Sequence, residues 1–277
     1  MTYFGFLLYF LIVPLALLAA LTWLDRRAGR VVPAALRGQS RVGVVALHVL
    51  VALLYTTPWD NYLVATRVWW YDSELVTGVV LGWVPIEEYT FFVLQTILGG
   101  LWLLWLARRA GVTAPSDAPD RPGLRLWATL AAGFVWLASL AILIGGWQPG
   151  TYLGLELAWA LPPIMLQLIF GADILWHRRK LVLPAILVPT LYLSAMDSLA
   201  IQAGTWTINP AQSTGVLLGG VLPVEEFVFF LLTNTLIGFG VTLMLSVESQ
   251  PRARALAAAL RERFGRRPAP EAFRTEN

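Results

Sequence analysis

The sequence predicts an all-α fold, a polytopic membrane helix bundle of about seven transmembrane helices arranged as two parallel three-helix repeats joined by a connector helix. Three observations predict it. Of the 277 residues, 57% are hydrophobic and only 13% are charged, where a soluble domain carries about 25% charged residues. Apolar runs near the length of about 20 residues needed to cross a hydrocarbon core fill almost the whole chain. Two distant stretches also repeat one another: "VPIEEYTFF" from Val84 to Phe92 and "LPVEEFVFF" from Leu222 to Phe230.

Taken in order, the candidate spans are Tyr3 to Trp23, Val42 to Pro58, Leu75 to Leu106, Leu124 to Gly146, Thr151 to Trp176, Leu181 to Ala203 and Gly215 to Val247. The first has no basic stretch before it and no small-residue cleavage pattern after Trp23, so it is expected to remain as a helix. The third and seventh exceed one straight crossing. In each, a short tilted or re-entrant piece is expected, then a break at Pro85 or Pro223, then a full helix with the glutamates near its start. Gly78 and Gly82, like Gly215 and Gly219, are four apart, a spacing that lets helix backbones approach closely.

The repeat extends beyond the glutamates. Tyr3, Gly5 and Pro14 align with Tyr152, Gly154 and Pro163; further on, Asp60 aligns with Asp197, Trp69 with Trp206 and Pro85 with Pro223. Spans one to three therefore repeat as spans five to seven, and the single crossing of span four gives both halves one orientation, about a pseudo-two-fold axis along the membrane normal. The division is 1–109 for the first repeat, 110–148 for the connector loop and fourth helix, 149–247 for the second repeat and 248–277 for a basic tail. Nineteen of the twenty Lys and Arg residues fall in the loops after spans one, three and five and in the tail, with Arg67 on the other side. By the positive-inside rule this predicts a multi-pass cell-membrane protein with the N-terminus outside and the C-terminus cytoplasmic. The excess positive charge then describes a rim facing anionic lipid, not a nucleic-acid site. Arg252 to Arg267 is read as a basic amphipathic helix on that surface, with a disordered tail as the alternative.

A carboxylate at bilayer depth costs at least a few kcal/mol, so intramembrane acids are site candidates. Helical spacing groups Glu88 with Phe91, Phe92 and Gln95, and Glu226 with Phe229, Phe230 and Thr233. Glu88 and Glu226 are therefore expected to face inward, with Glu87 and Glu225, turned by about 100°, toward neighbouring helices. Burial and a like charge one residue away favour a carboxyl that keeps its proton, and such a group acts as a general acid. Glu156 and Asp197 lie at similar depth, roughly 8–9 Å in at about 1.5 Å per residue, and Asp60 is the repeat mate of Asp197. Asp72 and Glu74 read as solvated loop charges, Asp173 and His177 as an interfacial i,i+4 pair, and His48 as an interhelical hydrogen-bonding residue.

Trp23, Trp59, Trp147 and Trp176 are accounted for by the interfacial aromatic belt. The Phe pairs one turn from the acids are different, since ring faces stabilise a carbocation by about 0.5–2 kcal/mol each. The chain has no cysteine and two histidines, which excludes thiolate and histidine-rich metal sites. It also lacks dinucleotide, phosphate-loop, nucleophile-elbow and zinc-protease motifs, and no pair of aspartate-rich segments is present to hold a diphosphate through Mg²⁺.

"PIEEYTFF" (Pro85 to Phe92) and "PVEEFVFF" (Pro223 to Phe230) resemble the PxEE motifs of the integral-membrane lycopene cyclases of the heterodimer type, here with both subunits fused through span four. The resemblance covers both halves. It implies a carotenoid cyclase that converts acyclic ψ ends of lycopene to β rings by acid-initiated, non-redox isomerisation, giving γ- and β-carotene. It implies catalytic roles for Glu87, Glu88, Glu225 and Glu226, and a hydrophobic substrate taken from the bilayer. It implies no cofactor, no metal and no nucleic acid, and an association with other carotenoid-pathway enzymes. Phe91, Phe92, Phe229, Phe230, Asp60, Asp197 and Glu156 are the candidate substrate-binding residues. Similar motifs occur in cyclases of C50 chains and of ε or γ rings, so chain length and ring type stay open, with a carotenoid hydratase as a further alternative. From another class, a proton-coupled transporter uses parallel repeats and intramembrane acids too. The apolar "ILGGLWLLWLA" after Thr96 weighs against a polar path through the membrane.

Overall fold

The computed structural model describes residues 1–109 and 120–265. Among them, seven helices are long and apolar enough to cross a membrane. The first span is built from α1 (Tyr3–Leu7), a π-helical turn (Leu8–Ile12) and α2 (Val13–Arg27). The second is α3 (Arg41–Ala65). The third, fourth and fifth are α4 (Ile86–Arg109), α5 (Pro122–Ile144) and α6 (Thr151–His177). The sixth and seventh are α7 (Arg179–Gln202) and α8 (Val224–Leu245), and α9 (Ser249–Gly265) follows. The glutamate-bearing helices α4 and α8 are central, whereas α5 lies outermost against α6. Small residues permit the close approaches: Gly99 of α4 lies under Ile237 of α8, and Gly238 of α8 under Ile186 of α7.

Prolines inside the spans create hydrogen-bond acceptors as well as bends. A proline ring displaces the carbonyl four residues earlier from the helix ladder, and three such carbonyls are taken by a side chain of another helix. Before Pro14, the Phe10 carbonyl accepts from the Tyr192 hydroxyl at 3.0 Å, and the π turn beside it absorbs the mismatch. Before Pro163, the Trp159 carbonyl accepts from Tyr55 at 2.8 Å; before Pro162, the Ala158 carbonyl accepts from Trp136 Nε1 at 3.2 Å. Each of these three prolines thus ties its helix to a neighbour.

Helices α3 and α7 end alike. Arg67 (φ 59°) and Gly204 (φ 70°) adopt the left-handed conformation that closes a helix, and the next amides, of Val68 and Thr205, reach back to the Leu63 and Ala200 carbonyls. The chain then runs into β1 (Trp69–Tyr71) or β4 (Trp206–Ile208), which pair antiparallel with Trp69 opposite Ile208 and Tyr71 opposite Trp206. This pairing latches the two halves together at one end of the bundle.

The segments before the glutamates correct the sequence reading. They are not helical. β2 (Val80–Leu81) pairs with β3 (Val84–Pro85), and β5 (Leu217–Leu218) with β6 (Leu222–Pro223), as two small hairpins. The glycines act through backbone conformation and not through helix packing: Gly82 opens a two-residue turn at φ 69°, and Gly219 and Gly220 share a three-residue turn at 59° and 74°. The spacing between matched residues grows by one along the motifs, and the extra residue lies in this second turn. Pro85 and Pro223 end strands and admit the chain to α4 and α8; neither kinks a helix.

The opposite end of the bundle is ionic. Asp25, 3% exposed, accepts from Arg30 and Arg109, both at 2.9 Å. Asp173 holds Arg125 at 2.8 Å and Arg252 at 2.6 Å and accepts the Arg121 amide, and Arg178 pairs with Glu248. Asp173 is therefore a junction of α5, α6 and α9, not simply a mate of His177 along one helix. Asp72 and Glu74 are exposed. The predicted basic helix is present as α9, anchored through Arg252, while Arg266 and Arg267 lie outside the described residues, as does 110–119 of the connector. Replacing Asp173 by Asn should loosen α9 and lower stability by about 1–3 kcal/mol, read as an earlier thermal transition in detergent and faster proteolysis of the tail.

Candidate active site

Each half delivers an acid by the same local route. The hairpin turns the chain so that α4 or α8 begins beneath it, with both glutamates in the first helical turn. One carboxyl of each pair turns back to the hairpin: Glu87 Oε1 accepts the Thr77 amide and Glu225 Oε1 the Thr214 amide, both at 2.6 Å. Both residues are 0% exposed. The other carboxyl turns into a shared pocket, Glu88 as partner of the Tyr3 hydroxyl and Glu226 accepting the Tyr152 hydroxyl at 2.8 Å. Tyr3 and Tyr152 are placed by a further matched bond: their own amides donate to Leu75 and Gln212 carbonyls, at 2.8 and 2.9 Å.

Two aspartates complete the acid cluster. Asp60 near the end of α3 accepts from Trp69 Nε1 at 3.0 Å, and Asp197 near the end of α7 accepts from Trp206 Nε1 at 2.9 Å. The tryptophans sit on the paired strands β1 and β4, so the latch between the halves also orients the aspartates. Their second oxygens, Asp60 Oδ2 and Asp197 Oδ2, accept no hydrogen bond in the structure.

The pocket is small, with a cavity volume of about 50 Å³. Glu88, Glu226, Asp60 and Asp197 line it together with Phe91, Phe92, Phe229 and Phe230, and no Lys, Arg or His is among its lining residues. Phe91 of α4 meets Phe230 of α8 edge to ring at 6.3 Å, and Phe229 stands 5.4 Å from Phe230. Trp59 lies parallel to Phe229 at 6.0 Å and stacks on Trp159 at 4.4 Å. Its indole belongs to the pocket wall, a correction to its reading as a belt residue. Glu156 is 0% exposed and lies outside the lining, with neither carboxyl oxygen hydrogen-bonded. Glu87 and Glu225 are likewise behind the wall.

Sequence reasoning passed over Tyr3, Tyr152, Trp69 and Trp206 as site residues. The signal was present in the repeat, since each aligns with its mate as the acids do, but only the fold shows that these polar aromatics address the acids. His48 donates from Nδ1 to the Val44 carbonyl of its own helix at 2.8 Å, so its bond is local and not interhelical. Replacing Glu87 by Ala should leave the Thr77 amide without its acceptor and expose the 78–84 hairpin to proteolysis; Glu87→Gln, which retains an acceptor oxygen, should protect it substantially better.

The lycopene cyclase family model matches residues 1–106 and 149–244. A lycopene beta-cyclase of Halobacterium salinarum is 41% identical over 205 residues, 74% of this chain and 83% of that protein. The bifunctional lycopene cyclase/phytoene synthase of Podospora anserina is 37% identical over 202 residues, and that of Phaeosphaeria nodorum 39% over 208; the matches span 70% and 71% of this chain and 34% of each of those proteins. No solved structure matches the chain. With both glutamate motifs inside the matched regions, this chain belongs to the lycopene cyclase family.

Proposed function

We propose that the chain is a lycopene β-cyclase that forms rings at the ψ ends of its carotenoid by proton transfer within the acid pocket. The observation that carries this reading is the cluster itself: Glu88, Glu226, Asp60 and Asp197 share one aromatic cavity with no cationic lining residue. Without a counter-ion, low-dielectric surroundings favour neutral carboxyls. At the same time Glu88 and Glu226 stand in first helical turns, where the positive end of the helix dipole stabilises the carboxylate left after donation. Such a group can both give and recover a proton.

In the proposed reaction one of these acids adds a proton to the terminal double bond of the ψ end. The next alkene supplies an electron pair to the resulting cation and closes the ring. The cation then stands within the ring, and a carboxylate of the cluster removes a ring proton, whose bonding pair becomes the new double bond. One proton enters and one leaves, so no oxidant, reductant or cofactor is consumed. Phe91, Phe92, Phe229, Phe230 and Trp59 present ring faces to the cationic stages. Tyr3 and Tyr152 hold the two pocket glutamates in register, while Glu87 and Glu225 fix the hairpins that place them.

This reading takes the two halves as parallel repeats around one composite pocket. It also takes the arginine-bearing end as cytoplasmic and the acid end as external, with substrate arriving from the lipid. Association with enzymes that supply lycopene follows from the substrate's insolubility in water.

Expressed in a lycopene-accumulating bacterium, the wild-type chain should yield γ- and β-carotene, identified by chromatography and absorption spectra. Joint Glu88→Gln and Glu226→Gln replacement should reduce ring formation by about 10²-fold or more with the protein still in the membrane; retained cyclisation would remove both residues from the acid role. In D₂O each new ring should carry one deuterium, measured by mass spectrometry, because the added proton comes from an exchangeable carboxyl and stays on carbon.

A further inference from the structure

A second space adjoins the acid pocket at Phe92 and runs toward the arginine-bearing end. It is a cleft of about 260 Å³. Leu47, His48, Val51, Ala52, Tyr55 and Thr56 of α3 form one wall, at spacings that place them on one helical face. Trp159, Pro163 and Gln167 of α6 form the other wall, again one turn apart, and Phe92, Thr96, Thr233 and Ile237 of α4 and α8 supply the floor.

Phe92 lines both this cleft and the acid pocket, so the two spaces meet at one ring. Above that junction α3 and α6 are bridged by aromatic groups. Tyr55 donates to the Trp159 carbonyl and Trp59 Nε1 to the Leu155 carbonyl at 3.2 Å, while the indoles of Trp59 and Trp159 stack. The side toward lipid is open: Leu47 is 43% and Val51 52% exposed. At its lower end the cleft shares His48, Gln167 and Met244 with a further space reaching Gln39 and Leu256. From Asp60 to the start of α3 at Arg41 the wall runs roughly 28 Å at about 1.5 Å per residue, close to the thickness of a hydrocarbon core.

We propose that the cleft between α3 and α6 holds the unreacted length of the linear polyene while one end is cyclised in the acid pocket, with Phe92 and the Trp59–Trp159 stack as the threshold between them. The inference rests on the cyclase reading and adds to it a binding site for the rest of the substrate. Its occupant follows from adjacency: whatever places an end beside Glu88 and Glu226 must lead away through an apolar path, and this cleft abuts the pocket across the Phe92 ring and opens to the bilayer. The same geometry makes α3 the wall that decides which chain lengths are accepted.

The test compares lycopene with an analogue cut to about half its length that retains one ψ end, both presented to the protein in lipid vesicles. Ala52→Phe, which fills the middle of the cleft, should lower cyclisation of lycopene at least tenfold while leaving the short analogue within twofold of wild type. Leu50→Phe, two residues away and outside the lining, should leave both unchanged. A photo-crosslinking benzoylphenylalanine in place of Leu47, about 20 Å along α3 from Asp60, should capture lycopene and not the short analogue, a readout that stands without the bulky variant. Unimpaired lycopene turnover by Ala52→Phe, or failure of the crosslinker to capture lycopene in a chain that cyclises it, would overturn the proposal and leave the cleft to a bilayer acyl chain. A wild-type chain that cyclises neither substrate would instead overturn the cyclase reading.

Discussion

Carboxyl groups inside a lipid-facing bundle are costly unless a cation or a hydrogen-bond donor meets them, and this protein places the two solutions at opposite ends. At one end Asp25, Asp173 and Glu248 are held by arginines. At the other, Glu88, Glu226, Asp60 and Asp197 share a pocket lined by no basic side chain. Segregation of the arginines to one end leaves the four acids of the other with neutral hydrogen-bond partners. The tyrosine and tryptophan donors that replace arginine here are neutral. They orient the acids without adding positive charge.

Orientation of those donors depends in turn on the small β elements. Trp69 and Trp206 lie on strands paired across the two halves, and the hairpins hold Glu87 and Glu225 by a backbone amide each. Sheet structure amounts to a few residues, yet it fixes the entry of α4 and α8 and the aim of four carboxyls. A strand pair does this better than a loop, since its cross-strand hydrogen bonds specify register.

Much was legible in the sequence because a bilayer leaves few choices. Backbone groups in hydrocarbon must be satisfied within the segment, so long apolar runs become helices and their limits can be read within a few residues. The periodicity that groups Glu88 with Phe91 and Phe92 is likewise local to one helix. What escaped was non-local or lay at the interface. Residues 75–85 and 215–223 are apolar enough to pass for helix, but backbone turning at positive-φ glycines made them hairpins. Trp59, at a helix end, has the sequence signature of a belt residue; it became a pocket wall because Trp159 and Phe229 approach it from other helices.

By itself, then, the sequence determined seven long apolar helices among the described residues, the separation of basic from acidic ends and the recurrence of paired glutamates, since each follows from composition or from spacing along one helix. Only the tertiary structure decided which acid of each pair enters the pocket. It alone gave those acids tyrosine partners 85 and 74 residues away and opened a cleft where α3 stands apart from α6. The physical reason is that a pocket is a relation among helices. Helical periodicity states which face a residue occupies, whereas the partner that face will meet is set by how proline-freed carbonyls, small residues and cross-strand pairs bring distant helices together.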